Sequence, residues 1–219
     1  MHIAPKKKYK YIVIKETSVD IYANEFFKWF PKSKIIQLVR DPRDNYASLK
    51  SGAKGYYSKI GEDEKKLLAS LINRAKLDLE YGIINKRLFK NKYNIIKYES
   101  LTKNSKKEML KVCKFLKIKY DNILLTPTVL EKINPGNNFE GENFIKISSK
   151  NVNKWEKRIN PDEAKIIEFY FKDLMKEYGY KLKYSKVDNY DFLSEYYKWT
   201  NYEYFFHNAF KNKIKLNFK

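Results

Sequence analysis

Short apolar runs alternate along the chain with longer stretches in which apolar residues recur at helical spacing. Three of the runs are rich in β-branched residues and predict buried strands, at residues 10–15, 34–40 and 93–98. The longer stretches predict helices over residues 20–30, 42–51, 63–90, 105–116 and 161–178. Glycine and asparagine favour loops over residues 52–61 and 134–151. Strands that alternate with helices indicate an α/β domain with a largely parallel sheet.

The last part of the chain differs from the rest. Residues 184–219 contain 12 Phe, Tyr or Trp side chains in 36 positions, so we divide the chain into an α/β domain (1–183) and an aromatic-rich C-terminal extension (184–219). The spacing of these aromatic residues permits an amphipathic helix that packs back on the domain. A surface for a partner or an acceptor is the other interpretation, because aromatic side chains are enriched at such surfaces.

Length and composition limit the classes of protein to consider. The chain has 219 residues, of which 43% are hydrophobic, enough for one sizeable core. Its longest apolar runs are too short to span a bilayer, and no secretory signal opens it, so we expect a cytoplasmic protein. A fragment of an anchored Golgi enzyme would have the same features. The single cysteine, Cys113, excludes a disulfide framework and falls on the apolar stripe of its helix, where we expect core packing.

The chain is strongly basic, with 46 Lys and Arg against 26 Asp and Glu and a formal net charge of +20. A solvated, lysine-rich surface and attraction to an anionic partner both account for this charge. Only five of the basic residues are arginines. The sequence does not favour a nucleic-acid-binding protein, because the charge is spread along the whole chain and the common nucleic-acid-binding signatures are missing.

Two of the five arginines lie in one motif, where a strand leads into a turn and a helix: IIQLVRDPRDNYAS, residues 35–48. Arg40 leaves the strand at its carboxyl end, where α/β sheets bind ligands, and its planar fork suits a phosphate. The helix that starts at Pro42 could supply backbone N–H groups, and Ser48 a hydroxyl. The alternative is purely structural, with Asp41 and Asp44 as helix caps and Arg43 paired to them.

The motif RDPRDNYAS resembles the 3′-phosphate-binding motif of sulfotransferases that use 3′-phosphoadenosine 5′-phosphosulfate (PAPS) as sulfuryl donor. By that resemblance Arg40 and Ser48 contact the 3′-phosphate. Residues 93–116 (YNIIKYESLTKNSKKEMLKVCKFL) are similar to a second block of the family, which places Tyr98 near the adenine. Residues 148–180 are similar to the family's cofactor-covering loop and C-terminal helix.

The loop before Trp155 is basic and rich in hydroxyl groups, with Lys146, Ser148, Ser149 and Lys150. The resemblance implies that Ser149 and Lys150 contact the 3′-phosphate or the ribose. An ordinary flexible surface loop is the equal alternative. We expect Trp155 to be a packing anchor for this loop.

The resemblance also implies a fold and a reaction. The expected fold is a three-layer, parallel-sheet, P-loop-like α/β domain of the sulfotransferase type, truncated at its N-terminus. The family's glycine-containing 5′-phosphosulfate loop has no counterpart in MHIAPKKKYK, residues 1–10. Lys15 matches a family lysine near the sulfuryl group. Thr17 stands where some members have a histidine base, which leaves Glu16 as the nearest carboxylate; an exposed strand-end glutamate is its ordinary interpretation.

The sequence therefore predicts sulfuryl transfer from PAPS to a hydroxyl acceptor, with a carbohydrate as one candidate. The alternative is a non-catalytic remnant or fragment that binds nucleotide or a partner. The two histidines, His2 and His207, have no metal-ligand spacing, and the reaction needs no metal. The acceptor, the base and the oligomeric state are open at this stage.

Overall fold

The computed structural model describes residues 11–17, 19–60, 63–129, 132–134 and 146–184. Its α-helices are α1 (Ala23–Trp29), α2 (Pro42–Ser51), α3 (Glu64–Phe89), α4 (Tyr98–Lys103), α5 (Ser105–Leu116), α6 (Trp155–Arg158) and α7 (Pro161–Glu177). Its strands are β1 (Ile35–Val39), β2 (Tyr93–Lys97), β3 (Thr128–Val129) and β4 (Lys132–Ile133). Short 3₁₀ turns cover Val19–Tyr22, Ser58–Ile60, Lys90–Lys92 and Asn122–Leu125.

Strands β1 and β2 form a parallel pair, in register from Ile35 opposite Tyr93 to Val39 opposite Lys97. The connection between them contains α2 and the long helix α3, in keeping with the crossover that parallel pairing requires. The predicted α/β fold with a parallel sheet is therefore confirmed. A separate antiparallel pair, β3 and β4, was not predicted from the sequence; each of its strands is two residues long, too short to give a periodic signal.

Helices lie on both faces of the parallel pair, although Leu38 of β1 remains 55% exposed on the face opposite Gln37. On one face, Gln37 Nε2 donates a 2.8 Å hydrogen bond to the Asp78 carbonyl of α3. Gln37 lies opposite Ile95 of β2, so the next residue, Ile96, points to the other face. There it lines a cavity of about 440 Å³ together with Val112 and Phe115 of α5. The sheet thus lies between α3 and α5, in a three-layer arrangement.

The buried strand predicted at residues 10–15 is wrong. Residues 11–16 have no regular secondary structure, and Ile12, Val13 and Ile14 are 78%, 92% and 73% exposed. Residue 10 lies outside the described residues. A β-branched run forms a strand only when a neighbouring strand pairs with it. In the described part of the chain, β1 pairs with β2 and with no other strand.

Two local predictions also need correction. Residues 53–57 form a π-helical turn (Ala53–Tyr57) that continues into a 3₁₀ turn, where a loop was expected. Tyr98 is the first residue of α4 and not the last residue of a strand. Both differences arise because short helical turns lack the length that a periodic pattern needs. The C-terminal extension from residue 185 and residues 135–145 lie outside the described residues.

The main core lies between α2, α3 and α7. Its fully buried members include Tyr46, Leu68, Ile72, Ile167 and Phe171. The predicted helix at 161–178 begins with a capping box, in which the Asn160 side chain accepts from the Glu163 N–H and Glu163 accepts from the Asn160 N–H. Cys113 is 3% exposed, which confirms its predicted core packing.

Among the described helices, none combines the length and the apolar character that a membrane span requires.

Candidate functional site

The two arginines of the RDPRD motif have opposite environments. Arg43 is buried, and its guanidinium binds two carboxylates: Asp41 Oδ2 at 2.6 Å and Glu168 Oε1 at 2.5 Å. It also donates to the Lys181 carbonyl at 3.0 Å and lies 4.2 Å from the centre of the Trp155 ring. Its charge is therefore fully compensated within the protein, and Arg43 is a structural residue.

Arg40 is half-buried at the carboxyl end of β1. Its Nη2 donates a 3.0 Å hydrogen bond to the Asn151 carbonyl, and its guanidinium lies 4.7 Å from the centre of the Tyr98 ring. No carboxylate of the described residues forms an ion pair with it, and its buried Nε has no partner there. An arginine has five N–H donors, so most of this fork remains available to an anion.

The start of α2 is capped from within the motif. The Asp41 carboxylate accepts a 2.9 Å hydrogen bond from the Arg43 backbone N–H, and Pro42 has no N–H. The Asp41 N–H donates in turn to Glu99 Oε1 at 2.8 Å. The N-terminus of α2 thus has fewer free backbone N–H groups for an anion than the sequence suggested. The structural interpretation of Asp41 and Arg43 is confirmed.

Asp44 has a different partner from the one expected. Its side chain is 1% exposed and accepts two backbone hydrogen bonds, from the Asn153 N–H at 2.6 Å and the Trp155 N–H at 2.9 Å. Burial raises the pKa of the Asp44 carboxyl above its ordinary value, and these two hydrogen bonds partly offset that rise. Asp44 therefore ties the loop that follows residue 146 to the start of α2.

That loop carries the predicted residues Ser149 and Lys150, both of them exposed. The Lys150 N–H donates to Ser148 Oγ at 3.2 Å, and the Val152 N–H donates to the Ser149 carbonyl at 3.0 Å. Because Asn151 is the next residue and binds Arg40, the loop passes directly beside the Arg40 guanidinium. Trp155 is 5% exposed, which confirms its role as a packing anchor.

The structure brings together only part of the predicted set. Arg40 and Tyr98 are in contact, and Ser149 and Lys150 immediately precede the residue that binds Arg40. Ser48 is half-buried on α2, two turns beyond Arg40.

Lys15 and Glu16 lie on the exposed segment 11–17, where Glu16 Oε1 accepts from the Thr17 N–H at 2.7 Å. These two residues are not part of the Arg40 contacts described above.

Two residues of the site were missed in the sequence. Asn151 supplies the carbonyl that binds Arg40, and its buried Oδ1 has no partner among the described residues. Asp44 was expected to cap a helix, not to hold a distant loop. A weak signal was present in the sequence Asn151-Val152-Asn153, because asparagine tolerates the left-handed backbone that Asn153 adopts at φ 59°.

The arrangement combines a forked cation, an aromatic face and a hydroxyl-bearing basic loop at the end of a parallel strand. Such a set can bind a phosphate next to a planar ring. The described residues contain no group of three or more His, Cys, Asp or Glu side chains that could hold a metal ion.

Comparison with known proteins shows which family this chain is similar to. The model of the sulfotransferase family matches residues 2–122. A solved sulfotransferase domain from the curacin biosynthetic pathway is similar over 76% of this chain and 62% of its own, with a TM-score of 0.54 and 17% identity. One from the Synechococcus PCC 7002 olefin synthase is similar over 68% and 50%, with a TM-score of 0.50 and 19% identity. The search of curated proteins found no match.

The chain thus spans about 62% and 50% of these two solved domains. At these identities the structural likeness concerns the fold, and it supports the P-loop-like α/β architecture expected from the sequence. The family model covers more than half of the chain, including β1, the RDPRD motif and β2. The chain therefore belongs to the sulfotransferase family.

Proposed function

We propose that this protein binds the 3′-phosphoadenosine part of PAPS and transfers the sulfuryl group to a hydroxyl acceptor. The observation that carries the proposal is the contrast between Arg43 and Arg40. Arg43 is neutralised by two buried carboxylates, whereas Arg40 forms no ion pair with any described residue and lies at the carboxyl end of a parallel strand. The Asp44 carboxylate interacts electrostatically with Arg40 but forms no ion pair with it, so the Arg40 fork keeps donors that an anionic ligand can use.

The neighbours of Arg40 support a phosphorylated nucleoside as the ligand. In the proposal, Arg40 and Ser48 bind the 3′-phosphate, Ser149 and Lys150 cover it from the loop, and Tyr98 lies near the adenine. Tyr98 also supports the Arg40 guanidinium at 4.7 Å, which orients the fork.

For the transfer step, we propose that Lys15 stabilises the charge that develops on the sulfuryl group and that Glu16 accepts the proton of the acceptor hydroxyl. Stabilising that charge and removing that proton are the two requirements of the reaction. A hydroxyl of a carbohydrate is the acceptor class we propose. The reaction needs no metal ion.

Nucleotide binding without turnover is the second candidate, and one observation favours it. Lys15 and Glu16 lie on an exposed segment without regular structure, whereas a catalytic pair is held rigidly by its surroundings. An assay of sulfuryl transfer from PAPS to a panel of carbohydrate hydroxyls separates the two candidates, because only the first predicts a sulfated product.

Calorimetric titration with 3′-phosphoadenosine 5′-phosphate tests the binding site, beside titration with 5′-AMP. We expect the wild type to prefer the 3′-phosphorylated ligand, and Arg40→Ala to lose about tenfold or more in affinity for it. Arg40→Lys keeps the charge without the planar fork and should recover part of the loss.

Arg87→Ala is the matched control, since it removes the same charge from an exposed pair with Glu177. Equal binding of the two nucleotides by the wild type, or equal losses in Arg40→Ala and Arg87→Ala, would contradict the proposal.

A further inference from the structure

The loop beside Arg40 is held at two points, one in the β1–α2 connection and one in the first turn of α2. Residues 146–155, which we call the covering loop, bind Arg40 through the Asn151 carbonyl at 3.0 Å. Two and four residues later, the N–H groups of Asn153 and Trp155 donate to the two carboxylate oxygens of Asp44. Arg40 and Asp44 therefore act on the same short stretch of the loop.

The Asp44 carboxylate holds the covering loop in a backbone conformation that most residues disfavour. Asn153 has a left-handed backbone, at φ 59°, which glycine adopts readily but L-residues other than asparagine and aspartate seldom do. Its own N–H and the N–H of Trp155 both donate to the buried Asp44 carboxylate. Without that acceptor, at least the Trp155 N–H, which is buried, would lack a partner.

We propose that Asp44 is a positioning residue for the phosphate site: it fixes the covering loop so that Lys150 and Ser149 lie beside the Arg40 fork. This inference rests on the proposed function. Asp44 does not itself contact the ligand, because both of its oxygens accept backbone N–H groups and its negative charge would repel a phosphate. It acts through the loop backbone, to which both of its oxygens are bound.

Substitution of the carboxylate by its amide tests the proposal. Asp44→Asn keeps the shape but can accept only one of the two N–H groups, and its own NH₂ faces the other. We expect the affinity for 3′-phosphoadenosine 5′-phosphate to fall about tenfold. We also expect faster hydrogen exchange at the Asn153 and Trp155 amides. Asp20→Asn is the control, because Asp20 is another buried carboxylate, hydrogen-bonded to Tyr93 and Gln37 outside the covering loop.

A double-mutant cycle distinguishes positioning from a general loss of stability. If Asp44 positions the loop, Lys150→Ala weakens binding severalfold in the wild-type background and has little effect in the Asp44→Asn background. Ser48→Ala, on α2, should cost the same in both backgrounds because its position does not depend on the loop.

A second variant serves if Asp44→Asn does not fold. Asn153→Val leaves the buried charges intact and changes an exposed residue, but a β-branched side chain disfavours the left-handed backbone. It should lose affinity as Asp44→Asn does, whereas Asn153→Gly should bind as the wild type does.

The outcomes separate the two proposals. If the wild type shows no preference for the 3′-phosphorylated ligand, the proposed function fails, and this inference fails with it. If the wild type binds but Asp44→Asn loses no more affinity than Asp20→Asn, the positioning role alone is wrong. Additive losses for Asp44→Asn and Lys150→Ala, or wild-type binding by Asn153→Val, would overturn it as well.

Discussion

The guanidinium of Arg43 lies 4.2 Å from the centre of the Trp155 ring and joins the start of α2 to the end of the covering loop. The same guanidinium binds Asp41 beside it and Glu168 on α7, 125 positions later in the chain. Glu168 also accepts hydrogen bonds from the backbone N–H groups of Lys183 and Tyr184. Arg43 is thus the centre of a buried network that connects the RDPRD motif to the C-terminal part of the domain.

Removal of Arg43 should destabilise the fold strongly. Arg43→Met leaves the Asp41 and Glu168 carboxylates buried without their cation, so we expect the free energy of unfolding to fall by about 3–5 kcal/mol. Urea denaturation measures this change. Arg87→Met, in an exposed ion pair, should change it by less than about 1 kcal/mol. A similar small effect for both variants would mean that the Arg43 network contributes little.

The aromatic face beside Arg40 should matter more than its hydroxyl. Tyr98→Leu removes the ring that supports the guanidinium, and we expect the affinity for 3′-phosphoadenosine 5′-phosphate to fall about three- to tenfold. Tyr98→Phe keeps the ring and should bind nearly as the wild type does. Calorimetric titration compares the two. If Tyr98→Phe loses as much affinity as Tyr98→Leu, the hydroxyl and not the ring makes the contribution.

Gly82 should tolerate no larger residue, although it lies within α3. A methyl group added there would overlap Gln37 Oε1 and come within 2.5 Å of Tyr178 Oη. We expect Gly82→Ala to lower the free energy of unfolding by about 1–3 kcal/mol, despite the higher helix propensity of alanine. The control is Gly55→Ala, where no atom lies within 4 Å of the new methyl group. Thermal unfolding of both variants checks the prediction; a stabilised Gly82→Ala would contradict it.

Asp78 should make the fold less stable as the pH rises. Burial, together with the nearby charge of Asp20, raises the pKa of its carboxyl from 3.8 to about 7, although Arg74 partly opposes the rise. The folded state therefore keeps a proton that the unfolded chain releases above about pH 4. Since the folded state binds more protons over this range, the contribution of Asp78 to stability falls between about pH 4 and pH 7.

Asp78→Asn removes that titration and tests the sign. We expect the free energy of unfolding of the variant, relative to that of the wild type, to be higher at about pH 8 than at about pH 5. Urea unfolding of both proteins at both pH values measures this difference. A gain for Asp78→Asn that is larger at the lower pH would reverse the assigned direction.

Much of the fold could be predicted because five of its seven described α-helices and two of its strands carry periodic patterns. The predicted helix at 63–90 and the observed Glu64–Phe89 differ by one residue at each end, since the apolar spacing and the Asp63 cap are local features. The run at 10–15 has the same β-branched composition as β1 but forms no strand. Composition describes what a segment can do, whereas pairing depends on a neighbour elsewhere in the chain.

The candidate site was predictable only in part for the same reason. The sequence alone determined the strand–turn–helix of the RDPRD motif, its two arginines and the basic loop before Trp155. It did not determine which arginine the protein neutralises, nor that Asp44 holds Asn153 and Trp155. The tertiary structure decided both, because Glu168 and the covering loop reach the motif only after α7 and the loop pack against α2. Hydrogen-bond partners more than a hundred positions apart leave no local pattern, so folding itself distinguishes Arg40 from Arg43.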